Sequence, residues 1–270
     1  MLREFSQSRV SNAEQAGEED SYFVSMTDMM VGMLFIFIII LMSFALNLKK
    51  QETDLAQTTD RLTEAQETRA QMLRDIRSTL LERGVDVFID ERNGVLRLPE
   101  RLLFRRGEFH IEESGRNALD SLAKALLSTL PCYAKTSAVQ GEPAPCPPSK
   151  GGRLEALFIE GHTDDTPFAG RTAAGVANNW DLSAARAIAV YEQLLRQAPL
   201  LGRLENDGDG EEHRGQKLIG VSGYAEYRPI VPNVDEPSRA ANRRIDLRFL
   251  MATPRQDEVE RLQRQIGGDQ

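Results

Sequence analysis

Asp28 is a carboxylate near the head of the stretch of this chain that is long and apolar enough to cross a membrane, Met29 to Leu48, MMVGMLFIFIIILMSFALNL. Burying a lone ionisable group there costs roughly 2.5 to 3.5 kcal/mol on insertion scales, so such a group is usually a proton or ion site or a partner's counter-charge. The bland alternative is that Asp28 caps the helix at the interface. A helix that starts near Tyr22 would place the carboxylate roughly 9 Å along the axis, below the headgroups. The two cysteines, Cys132 and Cys146, flank a Pro-rich loop without metal-ligand spacing or a nearby general base. A disulfide formed in an oxidising compartment is the leading reading, with two free thiols as the alternative. Catalysis finds little support. Asp164 and Asp165 are adjacent and would point apart at a strand end, and His162 has no nucleophile or metal-ligand cluster beside it. His162 therefore reads as a packed strand-end histidine and Trp180 as core, with no catalytic residue, metal or cofactor expected.

These residues need elements to position them. One helix of about 20 to 25 residues spans a bilayer once. The apolar run is too long for a cleavable signal, and no Ala-x-Ala pattern follows Leu48. The remainder is long enough for one domain with its own core plus a linker. The net charge of −8, relieved by no basic run, argues against direct contact with nucleic acid. Residues 49–82 contain no Pro or Gly and read as a helical linker, about 50 Å long if fully helical. Leu48 at the end of the span and Leu55, Leu62 and Ile76 in the linker fall on one seven-residue comb that Arg69 breaks. Such a narrow stripe suits pairing of two copies, and a solvated helix without a fixed partner is the alternative.

From Gly84 the texture becomes α/β. Val85, Val87 and Ile89 alternate with other residues, Asn93-Gly94 supplies a turn, and Val95, Leu96 and Leu98 resume a strand, which together signal a hairpin. Apolar residues from Glu112 to Leu130 keep helical spacing up to Pro131. Then come the cysteine loop, a strand LEALFIEG, a Gly- and Ala-rich loop, a helix from Leu182 to about Arg196, a strand KLIGVSGY and a last strand RRIDLRFLM. The expected fold is an α/β sandwich with a mixed sheet. The divisions are 1–20 as a tail, 21–48 as the transmembrane helix, 49–82 as the linker, 83–252 as the domain and 253–270 as a second tail. The acidic loop ENDGDGEEH lacks the full calcium-loop pattern and reads as solvated.

Three pieces of the domain carry the remaining chemistry: Gly161-His162-Thr163-Asp164-Asp165 at a strand end, Asn179-Trp180-Asp181-Leu182-Ser183-Ala184-Ala185-Arg186-Ala187 entering a helix, and Asn242-Arg243-Arg244-Ile245 entering the last strand. With Gly223-Tyr224-Ala225-Glu226 and Pro229 they resemble the OmpA-like peptidoglycan-binding domain over about residues 84 to 252. The resemblance implies a site for a stem peptide that offers both a carboxylate and an ammonium. Asp164 would take the ammonium, and the planar fork of Arg186 the carboxylate. Asn179 and Leu182 would shape the loop and helix start. Arg243 would either close the site or form a structural ion pair. The stretch from Thr166 to Val176 is longer than in minimal members of that family, which leaves the rim of the pocket open.

A single span with an early aspartate, a helical linker and an OmpA-like domain resembles the B subunit of the rotary ion-driven stators. The strings IEGHTDDTPF and NNWDLSAARA are similar to that family's wall-binding domain. The span SYFVSMTDMMVGMLFIFIIILMSFAL is similar to the B subunit of the Zorya anti-phage defence motor. A flagellar-type B subunit and a passive membrane-to-wall tether are the alternatives. The resemblance implies a homodimer within five A-type subunits, an inner-membrane location with a cytoplasmic N-terminus and periplasmic domain, peptidoglycan as ligand, and proton (less favoured, sodium) passage through Asp28. Taken alone, Arg3 and Arg9 before the span against Lys49, Lys50, Arg61 and Arg69 after it lean towards the opposite orientation. The resemblance to a wall-binding domain overrules that count.

Overall fold

The membrane-length stretch lies inside one α-helix, α1 (Glu4–Glu82), in a computed structural model that describes residues 4–134, 153–168, 175–206 and 215–252, with side chains from Met26 onward except at 57 and 61. The chain divides into two units, Met1–Thr59 and Asp60–Gln270. In the first, the helix carries a segment long and apolar enough to cross a membrane, and none of that window is buried within the chain. A run of exposed Met, Leu, Ile and Phe side chains without a protein partner is what a lipid-facing helix requires. Asp28 lies within this helix. A helix that begins at Glu4 leaves Asp28 no place as a cap at its start, so that alternative is set aside.

The second unit holds a five-stranded sheet in the order β1-β2-β5-β3-β4. The strands are β1 (Phe88–Asp90), β2 (Val95–Pro99), β3 (Leu154–His162), β4 (Ile219–Gly223) and β5 (Arg244–Met251). All neighbours are antiparallel except β3 and β4, which makes the sheet mixed, as the sequence led us to expect. The helices are α2 (Glu100–Leu103), α3 (Glu113–Thr129), α4 (Asn179–Gln197) and α5 (Glu236–Asn242). The Asn93-Gly94 turn closes the β1–β2 hairpin. Gly94 has φ +68°, and a side chain there would also meet the Phe249 carbonyl at 2.9 Å.

Period-two alternation gives the sheet two unlike faces. On one, Leu96, Leu98, Leu157, Ile159, Ile245, Leu247 and Phe249 join a single core with Leu119, Leu122 and Leu126 of α3 and Val190 and Leu194 of α4. Met72, Leu73, Ile76 and Leu80 of α1 belong to that same core. The last turns of the expected linker are therefore part of the domain, and Ile76, read as the end of a pairing stripe, is fully buried. Leu62 stays 42% exposed and Leu55 70%. α4 starts at Asn179, earlier than the expected Leu182, because the Asn178 side chain accepts from the Asp181 amide at 2.9 Å and caps it. The sequence reading also missed α5, although Asp235 and Ser238 form a capping box with Pro237 in the first turn.

Candidate functional site

The three motif pieces meet where β3 ends. Gly161 lets that end lie against α4, since a Cβ there would fall 2.0 Å from the Ser183 carbonyl oxygen. The Thr163 amide donates to the Ala225 carbonyl at 2.9 Å, and the Ala225 amide donates to Ser183 Oγ at 3.0 Å, tying strand end, turn and helix together. Asn179 Nδ2 donates to the Thr166 carbonyl at 3.1 Å and to that of Asp164 at 3.4 Å. Leu182 of α4 is buried. Asn179 opens α4 and is bonded to the loop after β3, and Leu182 follows three residues on.

Charge runs through the site in alternation. Asp164 Oδ1 accepts from the Thr166 amide at 2.9 Å, and Oδ2 accepts from Arg243 Nη1 at 2.5 Å. Arg243, at the end of α5, also donates through Nε to Glu100 Oε2 at 2.6 Å and through Nη2 to Glu236 Oε1 at 2.7 Å. The other oxygen of Glu100 pairs with Arg186 Nη2. Arg186 Nε donates to the Glu108 carbonyl at 2.8 Å, and its guanidinium lies over Phe104, 5.3 Å from the ring centroid. Burial pushes the Asp164 carboxyl up, but the bonds from Arg243 and Thr166 outweigh it and hold the group below its usual range. Burial likewise pulls Arg243 down, and its three carboxylate partners more than reverse this. For Arg186 burial wins over Glu100 and lowers the value.

Asp164 and Arg186 do not simply face one another: Arg243 and Glu100 link them in a chain of ion pairs. Arg186 is only 2% exposed, enclosed by Glu100, Phe104 and Glu108. Arg243 is an ion-pair hub, and with Glu100 it lines a cavity of about 260 Å³ between α2 and α5. Glu100 is the residue that sequence reasoning missed. The available signal was an acid at the first position of a helix directly after a strand, in a segment otherwise apolar or basic. Trp180, expected in the core, is 49% exposed and stacks on the exposed Tyr227 with ring centroids 5.3 Å apart. Cys132 ends a short 3-10 turn, and Cys146 lies outside the described residues.

The other face of the sheet carries a second charged layer. Glu160 accepts two bonds from Arg248, at 2.8 and 2.9 Å, while Asp246 accepts from Arg97 at 3.1 Å and Arg244 at 3.0 Å. His162 is buried between them, 3.8 Å from Glu160 and 3.7 Å from Asp246, and stacks on Tyr224. That matches the packed strand-end histidine read from the sequence, and burial lowers its pKa. Burial pushes Glu160 up, but the neighbouring His162 and the Arg248 fork outweigh it and bring the carboxyl down to about 2. Glu160, His162 and Asp246 could be taken for a metal-ligand group. Arginines already hold both carboxylates, which leaves a cation little negative charge to compensate its dehydration.

No family model matches the chain. It is 27% identical over 158 residues to the uncharacterized protein YtxE of Bacillus subtilis (strain 168), covering 58% of this chain and 48% of that protein. It is 30% identical over 94 residues to Motility protein B of the same organism, covering 35% of this chain and 30% of that protein. Among solved structures it aligns with a MotB-like protein from Desulfovibrio vulgaris at 21% identity, over 71% of this chain and 98% of the other, with a TM-score of 0.47. The chain spans less than half the length of these two curated relatives.

Proposed function

We propose that this chain is the wall-anchored B-type subunit of an ion-driven rotary motor in the bacterial inner membrane. The observation that carries the reading is a carboxylate, Asp28, set inside the helix that holds the membrane-length apolar stretch. A passive tether needs a span and a wall-binding domain but has no use for a buried acid there. Two copies of the span would stand within a ring of five A-type subunits. Uptake of a proton by Asp28 from the periplasmic side would neutralise its attraction to the ring, and release to the cytoplasm would restore it. The ring then advances around a pair held fixed by its C-terminal domains.

For the wall ligand, Asp164 and Arg243 are the charged groups we assign to direct contact. Arg186 acts through Glu100 by holding the acid that aims Arg243. The stem peptide's ammonium would compete for Asp164 and its carboxylate for Arg243, an exchange of ion pairs that leaves few charges unpaired. The resemblance of the span to the Zorya B subunit favours a defence motor of that type, and the same resemblance implies coupling to cytoplasmic effectors during phage infection. The partial match to Motility protein B favours a flagellar-type stator as the second reading. Sedimentation of the full chain with purified peptidoglycan sacculi tests the anchoring half. The parent should co-sediment, Asp164→Ala should do so much less, and equal binding by both would remove Asp164 from the site.

A further inference from the structure

Beside the cavity that Glu100 and Arg243 line is a larger one of about 470 Å³, and the two share Pro99, Arg101 and Ala241 on their walls. Four arginines from four elements line the larger cavity: Arg77 of α1, Arg97 of β2, Arg101 of α2 and Arg244 of β5. Asp246 serves both Arg97 and Arg244, and Asp86 lines the cavity wall. Among the described residues Arg77 and Arg101 make no ion pair. Guanidinium groups gathered around one concavity repel each other unless an anion joins them, and their planar forks suit a carboxylate or phosphate. The cavity also has an apolar wall, Phe88, which is 59% exposed and lies under the Arg97 guanidinium at 5.4 Å. An acidic group carried on a partly apolar stem fits both surfaces.

We propose that this arginine-lined cavity binds a further acidic group of the cell-wall polymer, a carboxylate or a phosphate, next to the Asp164–Arg243 site. The inference rests on the wall-anchoring reading and extends it. Because the cavities share a rim at Arg101, one polymer can engage both, and the second contact forms at high effective concentration. Arg77 and Arg101 supply the binding charge, while Asp86 opposes it.

The test uses the full chain in zwitterionic detergent, sedimented with sacculi before and after chemical removal of attached phosphodiester polymers. Arg77→Gln and Arg101→Gln should each weaken binding about tenfold, the loss expected for a charge-assisted hydrogen bond. The double variant should also show less salt dependence than the parent, whereas Asp86→Asn should bind more tightly. Both arginines are exposed, so the thermal midpoint should stay at the parent's value. A difference between parent and double variant that persists on stripped sacculi assigns the anion to a peptide carboxylate, and one that vanishes assigns it to phosphate. If Asp164→Ala weakens binding while the arginine variants bind like the parent on both preparations, this inference fails alone. If the parent does not sediment at all, the anchoring reading fails and takes this inference with it.

Discussion

Asp164 and Arg243, 79 residues apart in sequence, meet at 2.5 Å and tie the end of β3 to the start of β5. Because Arg243 also holds Glu100, and Glu100 holds Arg186, the three motif pieces are joined in one chain of ion pairs. Loss of one member therefore disturbs the others.

Glu100 gives the sharpest case. Its carboxylate is the partner of two arginines and is almost wholly buried, so Glu100→Gln leaves a surplus of positive charge in a dry place. Breaking a buried ion pair from one side costs about 3 to 5 kcal/mol. Urea unfolding of the full chain in detergent should show a loss of that order. A loss within about 0.5 kcal/mol, as for an ordinary surface substitution, would contradict the network's importance.

The opposite face of the sheet predicts an acid transition. Glu160 ionises near 2 in the fold and has an ordinary value of 4.5. A group depressed on folding adds stability above its unfolded value and loses that stability as pH falls through the folded value. The domain should thus weaken progressively from about pH 4.5 towards 2, with Glu160 accounting for roughly 3 kcal/mol. Replacing Arg248 by Met removes the fork that holds the carboxylate, and the acid midpoint should move to higher pH. An unchanged midpoint would show that Arg248 does not set it.

Much of the fold was legible because its signals are local. The hairpin at Asn93-Gly94, the apolar spacing of α3 and the alternation of β3 and β5 depend on neighbours within a few residues. The charged layer was not legible, since Arg97 meets Asp246 and Arg248 meets Glu160 only when β2, β3 and β5 are in register. Sequence motifs likewise brought Asp164, Asn179, Arg186 and Arg243 to one place, but Glu100 belongs to no such motif and acts only through tertiary contact. Trp180 misled because a large aromatic at a helix start is usually core, and here it has Tyr227 to stack on instead. Ile76 misled because a seven-residue spacing looks the same whether it meets a second copy or the chain's own sheet.

Cys132 and Cys146 should be joined by a disulfide if the domain is periplasmic. A bridge across this short loop would stabilise the fold by about 3 kcal/mol in the chain-entropy view. Mass spectrometry of membrane-purified protein under non-reducing conditions should find the linked peptides. Free thiols at both positions would reject the pairing, and labelling of the domain only from the cytoplasm would reject the orientation.

The central claim concerns Asp28, and proton uptake by vesicles containing this chain with its A-type partner tests it most directly. Asn has nearly the shape of Asp but cannot take up and release a proton. Asp28→Asn should leave expression and binding to sacculi intact while abolishing uptake, and Asp28→Glu, which displaces the carboxylate by one methylene, should retain part of it. Uptake by the Asn variant equal to that of the parent would make Asp28 a bystander and the chain a passive tether.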